Sequence, residues 1–333
     1  MNDRIKKYFL MSLLSLFIIA FSLFHYIQPA FNQESTNSIF EFALIGDLPY
    51  DAEQEAKFPN LIAEINQNRL AFVVHDGDIK SGSSPCTDEM FYQRKELFDK
   101  FELPFILILG DNEWTDCHRS SAGGYNPTER LTKLRQIFFA NNQSLGKQTL
   151  RFSQQSENPQ YRKFRENIRW NYGNVMFVGL NITGSNNNFG RTPEDDAEYR
   201  ERNTATLAWM RESFALAKRN NNQGIMLIIQ ANPWFELEPT NKERAGYNDF
   251  INALETETLN FSKQVVLVHG DSHYFRLDKP LINSKNKRRI ENFTRVETFG
   301  SPDVHWLRAR VDPSDRNLFS FRQEIIEANK NPR

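Results

Sequence analysis

The chain has 333 residues, 39% of them hydrophobic and 28 of them phenylalanine, enough for one large or two medium domains with a sizeable core. Its 41 basic and 42 acidic residues leave a net charge of −1. That balance gives no electrostatic footprint for nucleic acid and no polybasic membrane patch, and it leaves room for a small phosphorylated substrate held by local charge.

The amino terminus differs from the rest. Arg4, Lys6 and Lys7 precede the uncharged run Phe9–Phe24, a positive region followed by a hydrophobic one that marks an exported chain. The run reaches Ile27 if His25 is tolerated, close to the roughly 20 residues of a spanning helix, and Gln28-Pro29-Ala30 is a poor cleavage site. Residues 1–30 therefore read as an N-terminal hydrophobic helix, an uncleaved signal anchor in preference to a cleaved signal peptide. The body would then sit outside the cytoplasm, on the membrane if anchored and secreted or periplasmic if cleaved. Residues 31–37 are a polar linker, and 37–330 form the folded domain.

Phe40–Ile45 is a short apolar strand running into Gly46-Asp47, and Pro49 fixes the turn after it. Gln54–Asn66 has the apolar spacing of an amphipathic helix returning to a second strand, Leu70–Val74. That strand ends in His75-Asp76-Gly77-Asp78, and the βαβ order predicts a right-handed crossover. A loop over Lys80–Thr87 leads to a helix over Glu89–Phe101, stopped by Pro104. The strand Phe105–Leu109 then runs into Gly110-Asp111-Asn112-Glu113. Trp114–Asn126 is irregular, Thr128–Ala140 reads as a helix capped by Thr128, and Asn141–Arg165 as a polar surface insertion to which no function is assigned. Gly173-Asn174 between Ile168–Tyr172 and Val175–Leu180 signals a hairpin. Asn181–Tyr199 reads as loop, Thr204–Arg219 and Tyr247–Thr258 as helices. Ile225–Ile229 leads into Gln230-Ala231-Asn232-Pro233, and Val265–Val268 into His269-Gly270-Asp271-Ser272-His273. Strand-like runs follow at Arg295–Phe299, Val304–Val311 and Leu318–Ile325.

Five apolar strands thus each deliver oxygen or nitrogen donors to one edge, where open α/β sheets place their ligands. The set Asp47, Asp78, Asp111, Asn112, Gln230, Asn232, His269, Asp271 and His273 is dominated by oxygen, a mix for Mn, Fe, Mg, Zn or Ca in preference to any thiolate site. Cys86 and Cys117 each lie a few residues beyond a strand-end acidic cluster. In an oxidising compartment a disulfide tying those loops is the preferred reading, two unrelated buried thiols the plain alternative, and no C-x-x-C spacing favours metal.

Gly46-Asp47, Gly77-Asp78 with Gly82, Gly110-Asp111-Asn112-Glu113 and Gly270-Asp271-Ser272-His273 occur in the order and approximate spacing of the calcineurin-like metallophosphoesterase superfamily, and the chain resembles that superfamily over residues 40–275. The family pattern is D-x-H, G-D-x-x-x-x-G, G-N-H-E/D, a lone His and G-H-x-H. Here Pro49 replaces the first His, Asp111 the ligand Asn, Asn112 the catalytic His and Asp271 the first His of G-H-x-H, while the lone His is missing and Gln230 or Asn232 occupies its neighbourhood.

The resemblance implies a four-layer αββα sandwich of two mixed sheets with outer helices. It also implies phosphoester hydrolysis by a metal-bound hydroxide, with one or two divalent ions. By resemblance Asp78 bridges the metals, Asp47 and His273 hold the first, and Asp111, Asp271 and Asn232 hold the second. The aspartate replacements make that second site harder and richer in oxygen, and the first weaker unless Tyr50 or His75 substitutes. With Asn112 in the catalytic His position, His118 is the nearest replacement acid, and Lys80 and Arg119 are the candidate phosphate holders. The alternative is a binding or structural module on the same fold with its chemistry decayed.

Overall fold

The structure, a computed structural model, describes residues 38–330. The hydrophobic helix expected over residues 1–30 lies outside them. Among the described residues no helix is long and apolar enough to cross a membrane.

Among the described residues twelve strands and five principal helices follow in chain order: β1 (Phe40–Ile45), α1 (Ala52–Asn66), β2 (Val73–His75), α2 (Asp88–Phe98), β3 (Phe105–Leu107), α3 (Pro127–Phe138), β4 (Ser153–Gln154), β5 (Ile168–Tyr172), β6 (Val175–Gly179), α4 (Pro193–Arg219), β7 (Gly224–Ile228), α5 (Asn248–Phe261), β8 (Gln264–His269), β9 (Arg276–Asp278), β10 (Phe293–Glu297), β11 (Trp306–Val311) and β12 (Phe319–Glu324). They make two mixed sheets, ordered β12-β11-β1-β2-β3 and β4-β5-β6-β7-β8-β10-β9. In the first sheet β1, β2 and β3 run parallel, and in the second β6, β7, β8 and β10 do.

Side-chain alternation explains the layering. In β6, β7 and β8 one set (Phe177, Met226, Ile228, Val266, Val268) faces the first sheet. The other set (Met176, Val178, Ile225, Leu227, Val265, Leu267) packs with Leu207, Met210, Phe250 and Leu254 of α4 and α5. Between the sheets Phe42 and Phe177 meet edge to face at 5.4 Å, and Trp170 stacks on Phe177 at 5.2 Å. On the far side of the first sheet Phe98 of α2 stacks on Phe105 at 4.5 Å, with Phe58 of α1 beside it. Each such ring contributes about 2–3 kcal/mol by leaving water. The order of layers is helices, sheet, sheet, helices, the α/β sandwich expected.

Several boundaries depart from the sequence reading, two of them with a clear capping cause. α4 begins at Pro193 and takes in much of a segment read as loop. Thr192 caps it by accepting from the Asp195 amide, Pro193 holds the first turn, and Glu194, Asp195 and Asp196 complement its dipole. The cap of α3 is Asn126, which accepts from the Thr128 and Glu129 amides, so Thr128 lies inside the helix.

Candidate active site at the strand ends

Parallel register brings the strand ends level. Ile45, His75 and Leu107 pair across the first sheet, and Ile228 pairs with Val268 in the second. Each strand then turns sharply. Asp47 (φ 52°), Asp78 (57°), Asp271 (24°) and His273 (59°) all hold left-handed backbone, a conformation that collects at functional sites. The turns brace one another: the Asp47 amide donates to Gly77 O at 2.9 Å, and Glu113 Oε1 accepts from the Gly110 amide at 2.6 Å and the Asp78 amide at 3.2 Å.

Two neutral side chains stand among the acids. Tyr50 Oη lies 3.2 Å from Asp47 Oδ1, 3.1 Å from Asp78 Oδ2 and 3.3 Å from His273 Nε2, and accepts from Asn112 Nδ2 at 3.0 Å. His273 Nδ1 is turned to Ser301 O at 2.8 Å, which aims Nε2 at Tyr50 and Asp47. On the other side Gln230 accepts from the Gly184 amide through Oε1 at 2.6 Å. That bond points its Nε2 at Asp78 Oδ2 (3.1 Å) and Asp271 Oδ1 (3.2 Å).

Charge is the dominant feature. Burial holds the carboxyls of Asp47, Asp76, Asp78, Asp111 and Glu113 above their ordinary range, and for Asp78 and Asp111 the neighbouring acids add to it. Packing around Asp271 pushes it up to about 6. Burial alone would lower His273, but its pairing with Asp47 outweighs that and raises it. Lys80 is fully buried with Nζ on Ser81 O; burial lowers it while Glu113 and Asp78 oppose the loss of charge. It therefore counters the acids from beneath and does not present itself to a substrate.

The segment after β6 closes the acidic side. Ser185, Asn186, Asn187 and Asn188 are four consecutive left-handed residues, with φ from 49° to 62°. Asn187 is fixed by Arg202 and Gly246 O, and Tyr247 Oη accepts the Asn187 amide. Ser185 Oγ thereby reaches Asp111 Oδ2 at 2.9 Å and Asp116 Oδ1 at 2.7 Å. A carbon on Gly184 would stand 2.4 Å from Asp111 Oδ1 and 2.7 Å from Asp271 Oδ1, so glycine is what lets these two carboxylates converge. Asp116 Oδ2 also binds Arg119, whose guanidinium is about half exposed. Gly82 leaves the space where Arg119 Nη1 and Asn112 Oδ1 lie together.

The structure brings Asp47, Asp78, Asp111, Asn112, Asp271 and His273 to one place. Asn232 is adjacent but committed to its loop: its amide nitrogen donates to Ser272 Oγ, its carbonyl accepts from the Trp234 amide, and only its backbone N–H meets Asp271. His118 is exposed, with Nδ1 at 2.7 Å from Thr115 O and 2.8 Å from an Arg191 guanidinium nitrogen. His75 is buried between Leu48 O and the Gly77 amide, and burial lowers it to about 4, so it is a neutral brace for the turn. Cys86 and Cys117 are bonded, with Cα atoms 5.8 Å apart, joining the loops after β2 and β3. Asp116, Ser185 and the bracing role of Glu113 escape the sequence reading. The Gly-Ser-Asn-Asn-Asn run directly after a buried strand was the available signal for the left-handed segment.

Does a divalent ion suit these residues? Donor type and charge do: oxygens predominate, and Asp47 Oδ2 and Asp111 Oδ1 are buried without a hydrogen-bond partner. Closely packed buried acids need either protons or a cation. Yet among the described residues no group of three or more His, Cys, Asp and Glu is gathered to hold an ion by itself.

An αββα sandwich with an acidic centre where the strands of both sheets end is the architecture expected of a phosphoesterase. The calcineurin-like phosphoesterase family matches residues 40–275, and the chain belongs to that family. Among solved structures PhoD aligns with a TM-score of 0.52 at 13% identity, over 84% of this chain and 65% of that one. A purple acid phosphatase from yellow lupin (Lupinus luteus) seeds gives 0.46 at 11%, over 88% and 55%. A 5'-nucleotidase from Candida albicans gives 0.44 at 14%, over 85% and 50%. The chain thus spans half to two thirds of these neighbours, and at such identities the likeness is one of fold. No curated protein sequence matches it.

Proposed function

We propose that the protein is a metal-dependent hydrolase of small phosphoesters acting outside the cytoplasm. The observation that carries the reading is the convergence of Asp47, Asp78, Asp111, Asp271 and His273 from the ends of both sheets, in a chain of this family. Asp47, Asp78 and His273 would contribute donors to a divalent ion, with the carboxyls of Asp111 and Asp271 adding negative charge nearby. When bound, the ion supplies Lewis-acid activation of the phosphoryl group and of the attacking water.

The chain's own groups do the rest. Asn112 is fixed between Asp78 Oδ1, which accepts its backbone N–H at 2.9 Å, and Tyr50 Oη, so it orients the acids it touches. Arg119, half exposed and tethered by Asp116, offers a planar fork to phosphoryl oxygens. His118, exposed on the same loop, is the group we assign to protonate the leaving oxygen. The Cys86–Cys117 bond supports an oxidising compartment.

The test is metal content of the purified protein together with hydrolysis of p-nitrophenyl phosphate and its bis ester with added Mn²⁺. Turnover that depends on the ion and disappears in Asp78→Ala is the expected result. Protein that binds no ion and hydrolyses neither ester would overturn the reading in favour of a binding module, in which Tyr50 and Gln230 simply neutralise the acids.

A further inference from the structure

We propose that this centre takes one divalent ion, with Tyr50 as a donor to it, and that the Gln230 amide stands where a second ion would lie. The proposal rests on the metal-dependent reading above and goes beyond it in count and in donor.

The Tyr50 side has the spacing of a coordination face. Tyr50 Oη, Asp47 Oδ1 and His273 Nε2 form a triangle with edges of 3.2, 3.3 and 3.4 Å, and Asp78 Oδ2 lies 3.1 Å from the tyrosine oxygen. Donors about 2.0–2.1 Å from a four-coordinate ion are separated from each other by about 3.3–3.4 Å. Hydrogen bonding alone leaves this face short of protons. Tyr50 has one hydroxyl proton for two carboxylate oxygens, and Asn112 already donates to it. The second Asp47 oxygen is buried with no partner. Pro49 cannot ligate, but it places the next side chain on the site.

The Gln230 side is filled by a group that cannot ligate. An amide nitrogen has no lone pair to give, and Gln230 Nε2 lies between Asp78 and Asp271 at 3.1 and 3.2 Å, also helping to hold the charge of Asp47. It cannot turn its oxygen inward without losing the 2.6 Å bond from the Gly184 amide, which would then face the NH₂ group. A hydrogen-bond donor pinned between two carboxylates does there what a cation would do.

The experiment is Mn²⁺ binding to the full chain by equilibrium dialysis, read together with the electron paramagnetic resonance spectrum of the bound ion. One Mn²⁺ per chain with the six-line spectrum of an isolated ion is expected. Tyr50→Phe, nearly isosteric, should weaken binding at least tenfold. Gln230→Glu keeps an acceptor for Gly184 and puts an oxygen between Asp78 and Asp271, so it should raise the count to two and give an exchange-coupled spectrum. Circular dichroism checks that both variants fold, and the wild-type count decides the matter if either does not. Two coupled ions in the wild type overturn this inference and leave the proposed hydrolase standing. Unchanged affinity in Tyr50→Phe removes the tyrosine as donor. No binding at millimolar Mn²⁺ overturns both.

Discussion

The two sheets bring their residues to the site by different means. On the first, Asp47, Asp78 and Asp111 follow three adjacent parallel strands, and their turns are locked by main-chain bonds, by Glu113 and by the Cys86–Cys117 cross-link. On the second, Asp271 and His273 share one loop after β8. Their anchors reach across to other loops, the Asn232 amide for one and Ser301 O for the other. One side is a frame whose geometry the backbone fixes. The other has main-chain bonds of its own, from the Gly270 amide to Gln230 O and from the His273 amide to Gly270 O, but its Asp271 and His273 side chains are aimed by contacts to separate loops, so it is the side that point changes can retune.

Asp78 accepts from Tyr50, Gln230 and the Asn112 amide and so joins the two sides. Asp78→Ala should lower turnover of p-nitrophenyl phosphate about 1,000-fold, roughly 4 kcal/mol of barrier. A loss below tenfold in steady-state kinetics would mean that the sides work independently. The frame is probed by reduction. The cross-link spans a sequence separation of 31, and opening it should cost about 3–4 kcal/mol in urea unfolding. An unchanged midpoint would show that hydrogen bonds alone keep the first side rigid.

The adjustable side has a pH signature in metal-free protein. The Asp271 carboxyl is pushed up to about 6 against an ordinary 3.8. Between those values the unfolded chain has released the proton and the folded chain still holds it. The Asp271 share of stability therefore falls as pH rises from about 4 to about 6, by about 1 kcal/mol per pH unit, in addition to the losses of the same sign from the other raised acids. Thermal melts in chelator should follow that slope, and Asp271→Asn should flatten it. The smallest effect expected is from Asp111→Asn. Removing one of the repelling acids, with the new amide facing Asp271 across Gly184, should stabilise the metal-free protein by about 1 kcal/mol. A destabilised variant would show that a proton already bridges this pair.

Much of the frame is legible in the sequence because it depends on local pattern. Apolar runs ending in Gly-Asp, and Gly173-Asn174 between two strands, describe short-range backbone events, and they are where the strands and the hairpin lie. The start of α4 is not legible because Asn- and Gly-rich residues 184–190 read as one continuous loop that runs past the Thr192-Pro193 cap. The site was legible in its acids and not in its partners. Burial of Lys80, the bond from Asn232 to Ser272 and the aim of Gln230 all follow from contacts between distant segments. Nothing in the residues flanking Gln230 says that Gly184, 46 positions earlier, decides which end of its amide faces the acids.

The left-handed turns act as a filter on what the site can become. At Asp47, Asp78, Asp271 and His273 the backbone disfavours β-branched and bulky residues and tolerates Gly, Asn, Asp and His. Three of those four carry a side chain that can ligate. The steric alphabet allowed at these positions is thus nearly the same as the chemical alphabet of hard-metal donors. A substitution that keeps the turn tends to keep a donor, exchanging its charge or hardness. The backbone thereby restricts these positions to a short set of residues, most of which still offer an oxygen or nitrogen to the centre.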